Sequence, residues 1–270
     1  MKAVQLPILS CFALLLAVAL ALPAPAHAKE YPTSTVRKVV IDPGHGGTNL
    51  GALGITGVYE KDINLAVALQ LRSLLVKKSG VEVLLTREDD RDLPLTQRIG
   101  LANSSGADLF ISIHCNASFN NEAQGAETYV LSPEAALEES ERVARKQIQR
   151  EGRLASCDDE GTAAVVKDLW QSSAHLRSYD LAGLMQSLLV KRCNMKDRGV
   201  KELAIVVLRG AEMPAVVVEL GFLSHPKEGR MLADEQYQKD LASALYWSIL
   251  EHDHRLNESG ARSGVAQGRR

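Results

Sequence analysis

The chain has 270 residues, of which 46% are hydrophobic and 24% charged, a composition typical of one soluble globular domain with a sizeable core. Its formal net charge of -2 excludes the strongly basic character expected of a nucleic-acid-binding protein. The same balance argues against strong attraction to an anionic membrane surface.

The first 28 residues have the features of a signal peptide. Lys2 supplies a positive charge, residues 12–22 form an apolar run, and Ala26-His27-Ala28 provides a small-x-small cleavage site. A membrane anchor is the alternative, but the apolar run is short for a span of about 20 residues. The sequence therefore predicts an exported protein of the periplasm or cell wall, without stable membrane insertion.

Strands and helices alternate after a short leader at 29–36, through a single domain predicted to cover 37–254. Apolar runs predict strands near 38–41, 81–86, 109–114, 126–131, 203–208 and 215–220. Apolar residues at helical spacing predict helices near 62–78, 95–104 and 228–254. This alternation favours an α/β fold with a single domain, whose open, largely parallel twisted sheet has helices on both faces.

Two segments depart from this alternation. Residues 134–165 are charged and interrupted, and they are predicted to form an insertion with its own helix. Residues 255–270 are small, polar and basic, and we expect them to be disordered. Cys157 and Cys193 are a candidate disulfide pair, although spacing along the chain does not establish that they meet.

Two histidines stand where predicted strands end. His45 lies in Asp42-Pro43-Gly44-His45-Gly46-Gly47, directly after the first strand, and His114 ends the strand at 109–114. In open α/β sheets functional groups gather beyond the carboxyl ends of strands, which favours a shared ligand site over two unrelated core histidines. Glu60 precedes the first helix; it is either an exposed charge stabilised by the helix dipole or a third zinc ligand.

Glu219 follows the buried apolar run Ala215-Val216-Val217-Val218. A carboxylate at the end of a buried strand is costly unless it is paired, hydrogen-bonded or used. It is interpreted as a general base beside zinc-activated water, with a buried ion pair to Arg209 or Arg87 as the alternative. Because these residues are spread along the chain, their spacing alone identifies the metal only weakly.

Several stretches between residues 37 and 252 resemble the zinc-dependent N-acetylmuramoyl-L-alanine amidases of the amidase 3 family. They are Val40-Ile41-Asp42-Pro43-Gly44-His45-Gly46-Gly47, Glu60-Lys61-Asp62-Ile63-Asn64-Leu65, Leu85-Thr86-Arg87, Ile111-Ser112-Ile113-His114-Cys115-Asn116-Ala117, Gly125-Ala126-Glu127 and Pro214-Ala215-Val216-Val217-Val218-Glu219-Leu220-Gly221-Phe222-Leu223-Ser224. Their order and separation also fit that family.

The resemblance implies that His45, Glu60 and His114 bind one zinc ion and that Glu219 is the catalytic glutamate. It also implies the substrate, which is peptidoglycan, and the scissile bond, which is the amide between N-acetylmuramic acid and L-alanine. A zinc peptidase of the stem peptide and a non-catalytic peptidoglycan-binding module are the alternatives. A binding module has no need of a carboxylate placed as Glu219 is.

Three features depart from the simplest family pattern. His225 stands where the family commonly has Asn, and it is interpreted as a residue beside the site or on the surface rather than an added ligand. Cys115 is expected to pack as a small apolar residue. Related amidases can carry a helix over the active site, so segment 134–165 could bring Glu138 or Glu141 to the zinc until an activator protein removes it; a solvated surface helix is the alternative.

Overall fold

A six-stranded sheet forms the centre of the described part of the chain. The structure is a computed structural model that describes residues 34–136, 138–139, 142 and 157–267, without the side chains of 157–172 and 260–267. The predicted signal peptide at 1–28, the first part of the leader and most of the predicted insertion lie outside these ranges.

The central strands are mostly buried, whereas the two edge strands are more exposed. They are β1 (Lys38–Pro43), β2 (Glu82–Leu85), β3 (Leu109–Asn116), β4 (Ala126–Leu131), β5 (Asp197–Leu203) and β6 (Ala215–Phe222). Their spatial order is β2-β1-β3-β6-β4-β5. All neighbours are parallel except β4 and β6, so the predicted open and largely parallel sheet is confirmed.

Helices cover both faces of this sheet. They are α1 (Glu60–Ser79), α2 (Leu95–Ser105), α3 (Cys157–Cys193), α4 (Glu228–Leu232) and α5 (Glu235–Gln267). The larger core joins one sheet face to α1, α3 and α5, whereas α2 packs on the other face. β3 shows the division directly, because Ile111 belongs to the larger core and Phe110 to the smaller one.

The predicted strand at 203–208 is wrong. The edge strand is instead β5, whose sequence is rich in charged residues, and the apolar residues Val206–Leu208 form a short 3-10 helix. Val207 and Leu208 are buried against the smaller core. The apolar run therefore covers the sheet face and does not form a strand. The charged residues of β5 are a normal protection of an edge strand against edge-to-edge pairing.

The long helix α3 was not predicted from the sequence. Its first residues, 157–165, were assigned to the insertion, and no element was assigned to 166–193. Leu181, Met185 and Leu189 recur every four residues and are fully buried, which is the helical signal in this region. Cys193 is a buried free thiol, whereas the side chain of Cys157 lies outside the described residues.

The C-terminal region also differs from its prediction. The helix predicted at 228–254 is divided into α4 and α5, and α5 continues to Gln267, so the expected disorder of 255–270 is not found over 255–267. The start of the described chain contacts this helix, because Asp253 Oδ1 accepts a hydrogen bond of 2.8 Å from the Val36 amide. Within the described ranges, every helix is too short or too polar to traverse a lipid bilayer.

Two buried arginines hold the chain that follows β1. Arg98 donates from Nη1 to Asp42 Oδ1 at 2.7 Å and to the Pro43 carbonyl at 2.8 Å. Arg87 is fully buried and donates to the carbonyls of Pro43, Gly44 and Lys61 at 2.8–2.9 Å. The carbonyls of Pro43 and Gly44, where the chain leaves the sheet, therefore have partners although no neighbouring strand supplies them.

Replacing Arg98 with methionine should strongly destabilise the protein, because Asp42 would remain buried without its cation. We expect the free energy of unfolding, measured by urea denaturation, to fall by about 3–5 kcal/mol. Arg72→Met is the matched control, since it removes only the solvent-exposed pair with Glu88 and should cost at most about 1 kcal/mol. Equal losses in the two variants would contradict the role assigned to Arg98.

Candidate metal centre and catalytic cleft

His45, Glu60 and His114 meet at the edge of the sheet where β1 and β3 end. His45 Nε2 and His114 Nδ1 each lie 3.0 Å from the same carboxylate oxygen, Glu60 Oε1. One ligand atom from each residue can be chosen so that all three lie within 4.8 Å of one another. This arrangement can hold a metal ion.

The loop after β1 turns the His45 imidazole toward this group. His45 has a φ of 60°, in the left-handed region that non-glycine residues seldom adopt. Its backbone carbonyl accepts a 2.7 Å hydrogen bond from Arg98 Nη2, and its Nδ1 lies 2.8 Å from Asn49 Oδ1. The strained backbone is therefore held from both the main chain and the side chain.

Two glycines allow the close approach of these side chains. A Cβ on Gly44 would lie 2.2 Å from ring atoms of His114. A Cβ on Gly51, whose φ is +67°, would lie 2.6 Å from Glu60 Oε2 and 2.8 Å from His45 Cδ2. Any larger side chain at either position would displace one of the three residues.

Glu60 is buried as the first residue of α1, which begins two positions before the predicted start at 62, so Glu60 lies within the helix and does not precede it. Its Oε2 accepts a 2.9 Å hydrogen bond from the Ala52 amide, and its Oε1 accepts one of 3.2 Å from the Cys115 amide. Burial alone would raise the pKa of Glu60, but the hydrogen bonds with His114 and His45 outweigh it and hold that pKa far below its ordinary value. Glu60 is therefore an anion, which the N-terminus of the helix also favours.

Glu219 lies beside His114, because the two residues are register partners in the parallel pairing of β3 and β6. Its Oε2 is buried and has no hydrogen-bond partner among the described residues. Burial raises its pKa to about 7, with the charge of Glu60 adding to the effect. A group of this kind can both accept and release a proton near neutral pH.

Neither arginine proposed as an ion-pair partner for Glu219 serves that role. Arg87 donates to backbone carbonyls, as described above. Arg209 Nη2 lies 3.7 Å from the Glu138 carboxylate. The alternative interpretation of Glu219 as half of a buried ion pair with one of them is therefore wrong.

A cleft of about 580 Å³ opens over these residues. His45, His114 and Glu219 are among its polar lining residues, and Leu95, Ile205 and Val206 are among its apolar lining residues. The 3-10 helix that stands in place of the predicted strand therefore contributes to the lining of the cleft. A cleft with a few convergent polar groups is the usual form of a binding site for a small or extended ligand.

The other described residues singled out from the sequence add no side-chain ligand to the metal centre. His225 Nδ1 accepts hydrogen bonds from the Lys227 and Glu228 amides at 3.2 and 3.0 Å, so its ring sits at the start of α4. Cys115 is buried in the larger core. Glu138 is paired with Arg209 at the surface, and Glu141 lies outside the described residues.

Sequence reasoning gave no role to Glu127 or Tyr129 on β4. Glu127 is 2% exposed and is the antiparallel register partner of Glu219, and Tyr129 lines the cleft. A carboxylate within a predicted buried strand was the available signal, as it was for Glu219. Its neighbour across the sheet was not visible, because the antiparallel direction of β4 has no marker in the sequence.

Comparisons with known proteins identify the family of this chain. The family model of N-acetylmuramoyl-L-alanine amidase, amidase 3, matches residues 39–251. The chain is 33% identical over 234 residues to the N-acetylmuramoyl-L-alanine amidase AmiA of Escherichia coli K12, an alignment that covers 84% of this chain and 80% of AmiA.

Solved structures show the same fold. The N-acetylmuramoyl-L-alanine amidase of Clostridium difficile 630 is 33% identical with a TM-score of 0.62, covering 81% of this chain and 97% of that one. The CwlD amidase of Clostridioides difficile, solved in complex with the GerS lipoprotein, is 29% identical with a TM-score of 0.62, covering 80% of this chain and 98% of that one. The chain belongs to the amidase 3 family, and it is a peptidoglycan hydrolase of the N-acetylmuramoyl-L-alanine amidase class.

Proposed function

We propose that one zinc ion, held by His45, Glu60 and His114, assists this enzyme in cutting the amide between N-acetylmuramic acid and L-alanine. The chemistry of the donor set supports the choice of zinc, since two imidazoles and one anionic carboxylate form a typical catalytic zinc site with one position open. When bound, zinc supplies a Lewis acid that acidifies water and polarises a carbonyl.

Glu219 is the proposed general base and acid. The buried, unpartnered Oε2 is the observation that carries this assignment, because a carboxylate oxygen in that state has a large free-energy cost unless substrate or water uses it. Its raised pKa suits a group that takes a proton from attacking water and returns it to the leaving amine. The left-handed backbone of His45 and the anionic carboxylate of Glu60 hold the metal-ligand atoms in place beside Glu219.

The position of the cleaved amide distinguishes the proposed amidase from a zinc peptidase of the stem peptide. Mass spectrometry of digested sacculi tests it directly. Free stem peptides that begin with L-alanine, together with glycan free of peptide, are the expected products. Products shortened within the stem peptide would instead favour the peptidase.

The features of residues 1–28 support export to the periplasm or cell wall, where peptidoglycan is found. An activator protein is also proposed, on the strength of the charged segment at 134–165. The CwlD amidase was solved with the GerS lipoprotein, so a catalytic domain of this family can bind a second protein.

Substitutions at the metal centre and at Glu219 should have separable effects. His114→Ala should lower the bound zinc, measured by elemental analysis, from about one ion per chain to nearly none. Glu219→Gln should keep the zinc and lower the rate of sacculus hydrolysis by about 10²–10⁴-fold. His225→Ala is the control and should keep both, since its ring only caps α4. A Glu219→Gln enzyme that hydrolyses sacculi at the normal rate would exclude the mechanism.

The free-energy cost of burying the ionised Glu219 carboxylate should be measurable in the metal-free protein. Because burial raises its pKa from 4.5 to about 7, the folded state binds this proton more tightly than the unfolded state, and stability is lost as the pH rises between these values. Metal-free Glu219→Gln should therefore be more stable than the wild type at pH 8 by about 2–3 kcal/mol in urea unfolding. The gain should vanish near pH 4, and exposed Glu122→Gln should show no such gain. A Glu219→Gln protein that is no more stable at pH 8 would contradict the raised pKa.

Removing the part of the insertion that precedes α3 should raise activity without an activator. We propose that this segment restrains the enzyme, and a variant in which a short glycine-serine linker replaces residues 140–156 leaves α3 intact. Its rate of sacculus hydrolysis should exceed that of the wild type at the same zinc content and melting temperature. An unchanged rate in a folded variant would favour the solvated surface helix.

A further inference from the structure

A cationic cluster lies beside the catalytic glutamate on the strands β4 and β5. Its centre is the buried Glu127 carboxylate, which accepts hydrogen bonds from Arg198 Nε and the Tyr129 hydroxyl and, at 2.8 Å, from Lys201 Nζ. The bonds with these cations and with Tyr129 outweigh burial and hold the pKa of Glu127 below its ordinary value. Glu127 is therefore an anion with two cationic partners.

The charges of this cluster do not balance. Two cations share one carboxylate, which leaves an excess of one positive charge in the cluster. The side chains of Arg198 and Lys201 are 30% and 40% exposed, so part of each remains accessible to a ligand. The hydrogen bond to Glu127 uses Nε of Arg198, and none of the other hydrogen bonds described involves its two Nη atoms. Such a guanidinium can bind a second carboxylate with its free edge.

The cluster is placed within reach of a substrate held at Glu219. Glu127 and Glu219 face each other across antiparallel strands, where opposite Cβ atoms lie about 4.5–5.5 Å apart. The Arg198 guanidinium stacks over the Phe222 ring, 4.8 Å from its centroid, and Phe222 is the last residue of the strand that carries Glu219. A cation bonded to Glu127 therefore lies roughly 10 Å from the catalytic carboxylate.

We propose that Arg198 and Lys201 bind the first free carboxylate of the stem peptide, and that Glu127 is the positioning residue that holds both cations. In peptidoglycan the residue after L-alanine is a D-glutamate joined through its side chain, whose α-carboxyl is either free or capped as an amide. Two residues of extended peptide span roughly 7 Å, which brings that group from the scissile bond to the cluster. This subsite rests on the proposed scissile bond and concerns which stem peptides the enzyme prefers.

Two soluble muropeptides test the proposal on the zinc-loaded wild-type enzyme. They carry the same sugar and stem peptide and differ only in a free or an amidated α-carboxyl on the second residue. We expect kcat/KM to be about tenfold higher for the free carboxylate, which is the effect of one charge-assisted hydrogen bond. The preference should arise from a lower KM for the substrate with the free carboxylate, and it should weaken as ionic strength rises.

Variants identify the residues responsible for the preference. Arg198→Gln should raise KM for the free carboxylate by about tenfold, leave kcat within about twofold, and remove the preference between the substrates. Arg198→Lys should restore part of the preference, because the charge remains. Lys196→Gln is the matched control, since it removes a nearby exposed cation for which the structure describes no ion pair, and it should leave the preference intact.

The outcomes distinguish this subsite from the proposed function. Equal cleavage of both muropeptides by the wild type would overturn the subsite alone. Cleavage of neither would contradict the proposed scissile bond and the subsite with it. If Arg198→Gln lowered kcat equally on both substrates while the wild-type preference persisted, Arg198 would have a structural role only, and the assignment would be wrong.

Discussion

The contact of two imidazoles with one oxygen of Glu60 is the interaction on which the active edge of the sheet depends. His45 comes from the loop after β1, His114 from the end of β3, and Glu60 from the first turn of α1, so this contact joins three elements. It requires glycine at Gly44 and Gly51, where a side chain would overlap the imidazoles or the carboxylate. The sequence around the site is therefore constrained by space as much as by chemistry.

The left-handed conformation of His45 depends on side chains that hold the backbone of its loop. Arg87 and Arg98 do so by donating to carbonyls that the departing strand leaves without partners. Both guanidinium groups are buried, and Asp42 gives Arg98 a counter-charge. Buried ion pairs add little net stability, so their value here lies in fixing a backbone that no regular element could hold.

Much of this arrangement could be predicted from local sequence patterns. Buried apolar runs located five of the six strands, and the two histidines and Glu219 were assigned to strand ends from their positions in those runs. The exceptions depend on the tertiary structure. The apolar composition of residues 203–208 fits a buried strand and a segment that covers the sheet equally well. Only packing against α2 distinguishes the two. The antiparallel direction of β4, which sets Glu127 opposite Glu219, is likewise fixed by pairing at long range.

The two carboxylates that face each other on β4 and β6 show why similar sequence signals have different meanings. Both lie in buried strands, but Glu127 has three partners that keep it ionised, whereas Glu219 has a buried oxygen without one. The paired group is a fixed anion suited to holding cations, and the unpaired group can change its protonation state near neutral pH. The charge of Glu127 disfavours ionisation of Glu219 and contributes to the raised pKa of Glu219. The catalytic carboxylate and the proposed substrate subsite are thus linked through Glu127, which holds the two cations and faces Glu219 across the sheet.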